Sequence, residues 1–225
     1  MVTLTQQDNI HILTMEEGIS TELDNDSISA LHETLDAIEA KGDGPGALVL
    51  TGSGKAFSTG INLAAVMQYT PEQLETFSVE LPRLFARLLN FPLPTIAAIN
   101  GHTFAGGAFL ALVCDYRIMR EDRGWFCISE VDVGVPIGDE MMAVAQAKLA
   151  PTVFRDAVLS GKRFGGKECT ELGLVDACCS EDELLPKAIE MITPLSTKER
   201  GIFKALKTSM YGGIAENLVA SKKSV

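Results

Sequence analysis

TIAAI (95–99), NGHTFAGG (100–107) and AFLALV (108–113) follow one another without a gap, and their order decides the fold. A five-residue run of this kind reads as a buried strand. The glycine-rich loop after it opens a buried helix. The same order occurs upstream, where ALVLT (47–51) leads into GSGKAFSTG (52–60) and then into the helix-like GINLAAV from Gly60. Two strand–loop–helix units in tandem predict an α/β fold. A third strand-to-loop junction comes at SEVDVGVP (129–136), after the short strands DYRIMR and WFCIS.

Toward the N-terminus, residues 2–5 and 10–15 read as strands. Ile28, Leu31, Leu35 and Ile38 share one face of a helix over 25–40, with Asp26 or Ser27 as its cap and Gly42 as its stop. Leu74, Phe77, Leu81, Leu84, Phe85 and Leu88 predict a second helix over 71–90, which Pro82 should kink or break. From residue 139 onward the pattern predicts helices alone, over 139–149, 151–160, 167–172, 182–192 and 197–209. The expected division is an α/β core over 1–192 and a helical tail over 193–225. Ile202, Phe203, Leu206 and Met210 fall on one face of that tail, which suits packing or an oligomer contact.

The 225 residues are 46% hydrophobic, with a mean hydropathy of +0.17, which excludes disorder. A chain of this mass buries about 70% of its surface on folding, so one core suffices without staples. Nineteen Lys and Arg against thirty Asp and Glu give a net charge of −11. So acidic a chain is unsuited to general nucleic-acid binding, which relies on cations at phosphates. The five cysteines (Cys114, Cys127, Cys169, Cys178, Cys179) are odd in number and form no C-x-x-C pair, which points to free thiols in a reducing compartment. MVTLTQQDNIHILTM carries no basic or apolar signal region, and no apolar run reaches the roughly 18 residues of a membrane span. The terminal SKKSV is not the S-K-L peroxisomal address. The expectation is an intracellular protein, cytoplasmic in the first instance, with peroxisome and mitochondrion left open.

GSGKAFSTG invites three glycine-motif readings and fits none. A Rossmann loop needs glycine at Phe57, and a Walker A loop needs glycine at Val49 and Ser or Thr at Ala56. A nucleophile elbow around Ser58 needs glycine at Ala56. What remains is two small-residue loops that each place a backbone N–H at a helix start, where an anion is favoured. Either loop alone is better read as a plain strand-to-helix connection. If their strands are neighbours, the two donors converge on one oxygen, the geometry of an oxyanion hole.

Glu130 sits between apolar WFCIS and VDVGVP. Burial there would raise its pKa and make it a proton acceptor. Alone it reads as an exposed strand-end carboxylate, and Asp132, Asp139 and Glu140 compete with it. Asp132 shares its face if the segment is extended. His11, His32 and His102 lack ligand spacing and Cys178-Cys179 is no chelating pair, so no metal site is expected. Met141-Met142 is expected to pack beneath the site.

KAFSTGINL, PTIAAINGHTFAGG, CDYRIM, SEVDVGV and LSGKRFGGKECTELGLVD, in this order, resemble the crotonase superfamily of enoyl-CoA hydratases and isomerases. The match runs from the first strands to about residue 176. SEVDVGV, MREDRG and the shortness of the chain are most similar to plant-type Δ3,Δ2-enoyl-CoA isomerases. The resemblance implies a spiral of β-β-α units with a C-terminal helical region, an acyl-CoA substrate, and a homotrimer or dimer of trimers. By position it implies oxyanion-hole amides at Ile61 and Gly106. Ser58, Gly60, Ile61, Asn62, Leu63, Gly106 and Phe109 would line the substrate. The two family glutamates that handle water in hydratases fall on Phe109 and Glu130, so one is missing. The usual Ala-Asp after the loop glycine is Ile61-Asn62 here, a bulkier wall with one altered polar contact.

Within that resemblance, a single carboxylate implies an isomerase in fatty-acid β-oxidation that moves a proton from C2 to C4 through Glu130, with no metal or redox cofactor beyond the coenzyme A of the substrate. Lys55, Lys204 and Lys207 are candidate partners for the coenzyme A phosphates. The alternatives are another crotonase reaction (hydration, decarboxylation or thioester hydrolysis), an RNA-binding protein, or a silent scaffold. The net charge of −11 disfavours RNA.

Overall fold

The computed structural model describes residues 2–18, 21–42 and 44–220. The SKKSV terminus and Met1 lie outside them. In chain order the elements are β1 (Val2–Gln7), β2 (Ile10–Met15), β3 (Glu22–Leu23), α1 (Asn25–Glu39), β4 (Ala47–Gly52), β5 (Ala56–Ser58), β6 (Gly60–Ile61), α2 (Leu63–Val66) and α3 (Pro71–Leu89). Then come β7 (Thr95–Ile99), β8 (His102–Phe104), α4 (Gly106–Leu112), β9 (Tyr116–Arg120), β10 (Phe126–Cys127) and α5 (Glu130–Val133). The chain closes with α6 (Asp139–Lys148), α7 (Pro151–Ser160), α8 (Gly166–Leu172), β11 (Ala177–Cys179), α9 (Glu181–Ile192) and α10 (Arg200–Ala220).

The main sheet runs β1-β2-β4-β7-β9-β11, parallel throughout except for the antiparallel β1–β2 hairpin. A second, wholly parallel sheet is ordered β10-β8-β5, and β3 pairs with β6. Together they form a spiral. Each turn lays one strand in the main sheet, one short strand outside it, and then a helix: β2-β3-α1, β4-β5 with α3, β7-β8-α4 and β9-β10-α5. The central strands are buried on both faces because period-2 alternation sends their side chains into two cores. Leu48, Leu50, Ala97 and Ile99 join the larger core with α1, α3 and α4. Ala47, Val49, Ile96 and Ala98 meet Leu184, Ala188 and Ile192 of α9 on the other side.

Several expectations need correction. Helix α1 is capped by Asp24, not by Asp26 or Ser27: Asp24 Oδ1 accepts from the Ser27 amide at 2.9 Å, and Ser27 Oγ accepts from the Asp24 amide at 2.9 Å. Helix α3 runs unbroken through Pro82. Buried residues on both sides of the proline, Phe77 and Leu81 before it and Leu84, Phe85 and Leu88 after it, hold the helix onto the core and outweigh one lost hydrogen bond. The stretches 52–60 and 100–107 are not simple loops, since they carry β5, β6 and β8. The C-terminal part is not helical throughout, because β11 adds the last strand of the main sheet beside β9.

The tail helix α10 is longer than expected and folds back on its own chain, with Ala215 and Leu218 in the larger core. One polar contact pins it. Lys207, 3% exposed, places its Nζ 2.9 Å from Asp115, whose carboxylate also accepts from the amide and hydroxyl of Thr95. Removing one partner strands a buried charge, which typically costs about 3–5 kcal/mol. Lys207→Ala is therefore expected to lower unfolding stability by about that much in a urea titration, while exposed Lys204→Ala stays within about 0.5 kcal/mol of wild type.

Candidate active site

All strands of the second sheet run the same way, so the residues that follow β5, β8 and β10 emerge at one end of it. The ladder sets Cys127 beside Phe104 and Ser58 beside Thr103. Two residues beyond Ser58 stands Gly60, two beyond Phe104 stands Gly106, and three beyond Cys127 stands Glu130. The Ala105 amide donates to the Cys127 carbonyl at 3.0 Å, which extends the pairing into the second loop.

The two glycine loops touch. Gly60 has φ +86°, open only to a residue without a side chain, and a Cβ there would stand 3.0 Å from the Gly106 nitrogen and 3.0 Å from the Phe104 carbonyl oxygen. At Gly107 an added Cβ would fall 2.2 Å from the Ser58 carbonyl oxygen. Ala105, between the β8 ladder and α4, is held at φ 50°, ψ −123°, a conformation that costs a non-glycine residue roughly 1–3 kcal/mol. The loops are thus packed backbone to backbone. Only Gly106 starts a helix, however. Ile61 lies in β6, and α2 begins two residues later with Asn62 as its cap.

Two polar side chains of the first loop, Ser58 and Asn62, brace its backbone. Ser58 is fully buried, and its Oγ accepts from the Gly60 amide at 3.3 Å. Asn62 Oδ1 accepts from the Ala65 amide, and its Nδ2 donates to Asp24 Oδ2, which links the caps of α1 and α2. Ile61 and Leu63 are exposed, at 37% and 58%. Phe109 is 2% exposed in α4 and belongs to the larger core. Met141 and Met142 pack against the same core.

Glu130 is the first residue of the one-turn helix α5, which ends at left-handed Gly134. The segment is helical and not extended, so Asp132 does not share the Glu130 face: two helical residues turn it through roughly 200°. Asp132 is exposed, toward Gly161. Asp139 is exposed in the first turn of α6, and Glu140 folds beside Gly138. Glu130 is half-buried, and its Oε2 is buried with no hydrogen-bond partner. Burial pushes its carboxyl above the ordinary glutamate range, opposed by the amides of Glu130 and Ser129. An acid that is desolvated, with no ion pair among the described residues, is poised to take a proton. Among the described residues, no group of three or more His, Cys, Asp or Glu could hold a metal ion.

Of the lysines considered for phosphate contacts, Lys55 and Lys204 are exposed, but Lys207 is buried on Asp115 and drops out.

The enoyl-CoA hydratase/isomerase family model matches residues 6–224. The chain belongs to that family. Enoyl-CoA delta isomerase 3 of Arabidopsis thaliana is 31% identical over 223 residues, covering 94% of this chain and 92% of that protein. A putative enoyl-CoA hydratase of Thermus thermophilus is 36% identical over 162 residues, 71% of this chain and 63% of that protein. Human mitochondrial delta3-delta2-enoyl-CoA isomerase superposes with a TM-score of 0.88 at 21% identity, over 98% of this chain and 87% of that one. The crotonase-type spiral of β-β-α units is the fold of this hydratase/isomerase chain. No helix among its described residues is long and apolar enough to cross a membrane.

The packing of the loops predicts the behaviour of one glycine. Gly107→Ala must push the Ser58 backbone away, so thermal denaturation should show a loss of about 1–3 kcal/mol; Gly213→Ala, where a Cβ meets nothing within 4 Å, should show no loss.

Proposed function

We propose that this chain is a Δ3,Δ2-enoyl-CoA isomerase acting in fatty-acid β-oxidation. The observation that carries the reading is Glu130 Oε2, buried without a partner at the end of the sheet where the Gly60 and Gly106 loops meet. In the proposed reaction the Glu130 carboxylate takes a proton from C2 of a 3-enoyl-CoA, and the electron pair delocalises into the thioester oxygen. The amides of Ile61 and Gly106 donate to that oxygen, and each such donor typically lowers a barrier by about 2.7–4 kcal/mol. Protonated Glu130 then returns the proton at C4, giving the trans-2-enoyl-CoA. Bonds and electrons balance within substrate and base, so the step calls for no metal or redox cofactor.

Support for isomerisation over hydration comes from the position of Phe109. Where a second carboxylate would hold water, an aromatic ring is packed into the core. The Thermus relative's name keeps hydration as the second reading. Lys55 is the proposed contact for a coenzyme A phosphate. Exposed Ile202, Leu206 and Met210 on α10 support assembly into a trimer or a dimer of trimers.

With 3-hexenoyl-CoA the protein is expected to yield trans-2-hexenoyl-CoA, and to hydrate crotonyl-CoA at least 100-fold more slowly, roughly the effect of one missing catalytic group. Fast hydration without isomerisation would reverse the assignment. Glu130 must be deprotonated to act, so kcat/KM should rise with pH through an acidic limb lying above the ordinary glutamate range. Glu130→Gln should keep the fold by circular dichroism and lose turnover. Full activity in that variant would return the base to Asp132, Asp139 or Glu140.

A further inference from the structure

A second polar pocket lies away from the glycine loops, where β2 and β4 begin. It holds about 260 Å³ and is lined by Gln6 and Asp8 of the hairpin, His11 of β2, Lys41 after α1, Leu93 before β7, and Arg200 at the start of α10. Among the described residues, no carboxylate stands within ion-pair distance of Arg200 or Lys41, although the protein carries eleven excess negative charges. Arg200 is only 8% exposed, and its Nη1 donates to the Gly42 carbonyl. Lys41 Nζ donates to Gln6 Oε1 at 2.6 Å. His11 is 6% exposed, and its Nδ1 is buried with no hydrogen-bond partner.

A buried guanidinium with no counter-ion among the described residues and a buried imidazole nitrogen without a partner are both costly. An anion held there would relieve both. We propose that this pocket binds a small phosphate-type oxyanion, paired with Arg200 and Lys41 and hydrogen-bonded by His11 Nδ1. Burial, then the charges of Lys41 and Arg200, hold His11 below the ordinary histidine range. The Asp8 carboxylate at the edge limits how much negative charge the site accepts. At 260 Å³ the pocket falls below the roughly 300–1,000 Å³ of sites for drug-sized ligands, which suits a phosphate group or a small phosphate ester and not coenzyme A.

Isothermal titration with sodium phosphate, and separately with glycerol 1-phosphate, at constant ionic strength reads this site without any activity assay, so its outcome is independent of the isomerase assignment. Saturable one-to-one binding is expected, weakened at least tenfold in Lys41→Glu and in His11→Phe. Lys41 is exposed, so its substitution tests the site even if His11→Phe fails to fold. Binding of phosphate alone identifies the free ion as ligand, and binding of the ester identifies a phosphorylated small molecule. No saturable binding of either, or unchanged binding in Lys41→Glu, overturns the proposal. So does a loss in Lys55→Glu alone, which would move the anion to the glycine loop.

Discussion

The contact on which the rest of the structure depends is the approach of the Gly60 loop to the Gly106 loop. It leaves little room for a Cβ at Gly60, which would stand 3.0 Å from the Gly106 nitrogen, and it is fixed from both sides. The parallel β10-β8-β5 ladder brings the chain segments to a common end. The Ser58 hydroxyl, the Asn62 side chain and the Ala105–Cys127 hydrogen bond then set the last residues of each loop. A side chain at Gly60 would spread two backbones that the proposed chemistry needs side by side. The strain at Ala105 is held by the same packing, since its amide is pinned to Cys127 and α4 behind it is buried from Gly107 to Leu112.

The spiral explains why one small sheet can build such a site. Three successive turns each contribute one strand to the main sheet (β4, β7 and β9) and one short strand to the small one (β5, β8 and β10), so residues far apart in the chain arrive at one place in a shared direction. The long strands and α9 supply stability away from the site, through two cores on opposite faces. The short strands add Phe57 and Phe126 to the larger core and set the register of the site. Helix α10 closes the molecule by returning to α3, pinned by a buried lysine–aspartate contact.

What the sequence makes legible is what has a period. ALVLT and TIAAI read as buried strands because every residue is apolar or small, and α1 and α3 read as helices from their apolar stripes. The β3, β5, β6 and β8 segments, two or three residues each, have no period and sit among glycine and polar residues that resemble loops. They exist because neighbours pair with them, which only the folded chain displays. Glu130 is legible as a carboxylate in an apolar stretch, but its helical turn is not, because four residues cannot carry a helical pattern. That turn separates it from Asp132. The burial of Lys207 was equally hidden: its partner Asp115 lies 92 residues away. The resemblance in the glycine loops suggests the Ile61 and Gly106 amides as donors, whereas the hydrogen bonds of Ser58 and Asn62 to their own loop depend on side-chain direction.

In the proposed reaction one half-buried carboxylate carries a proton between two carbons. Its most direct test is a single turnover of 3-hexenoyl-CoA deuterated at C2, with the product read by mass spectrometry and NMR. A base screened from water should deliver a substantial share of the label to C4. Product that forms at full rate with the label wholly lost to solvent would contradict a single carboxyl group acting as both acceptor and donor.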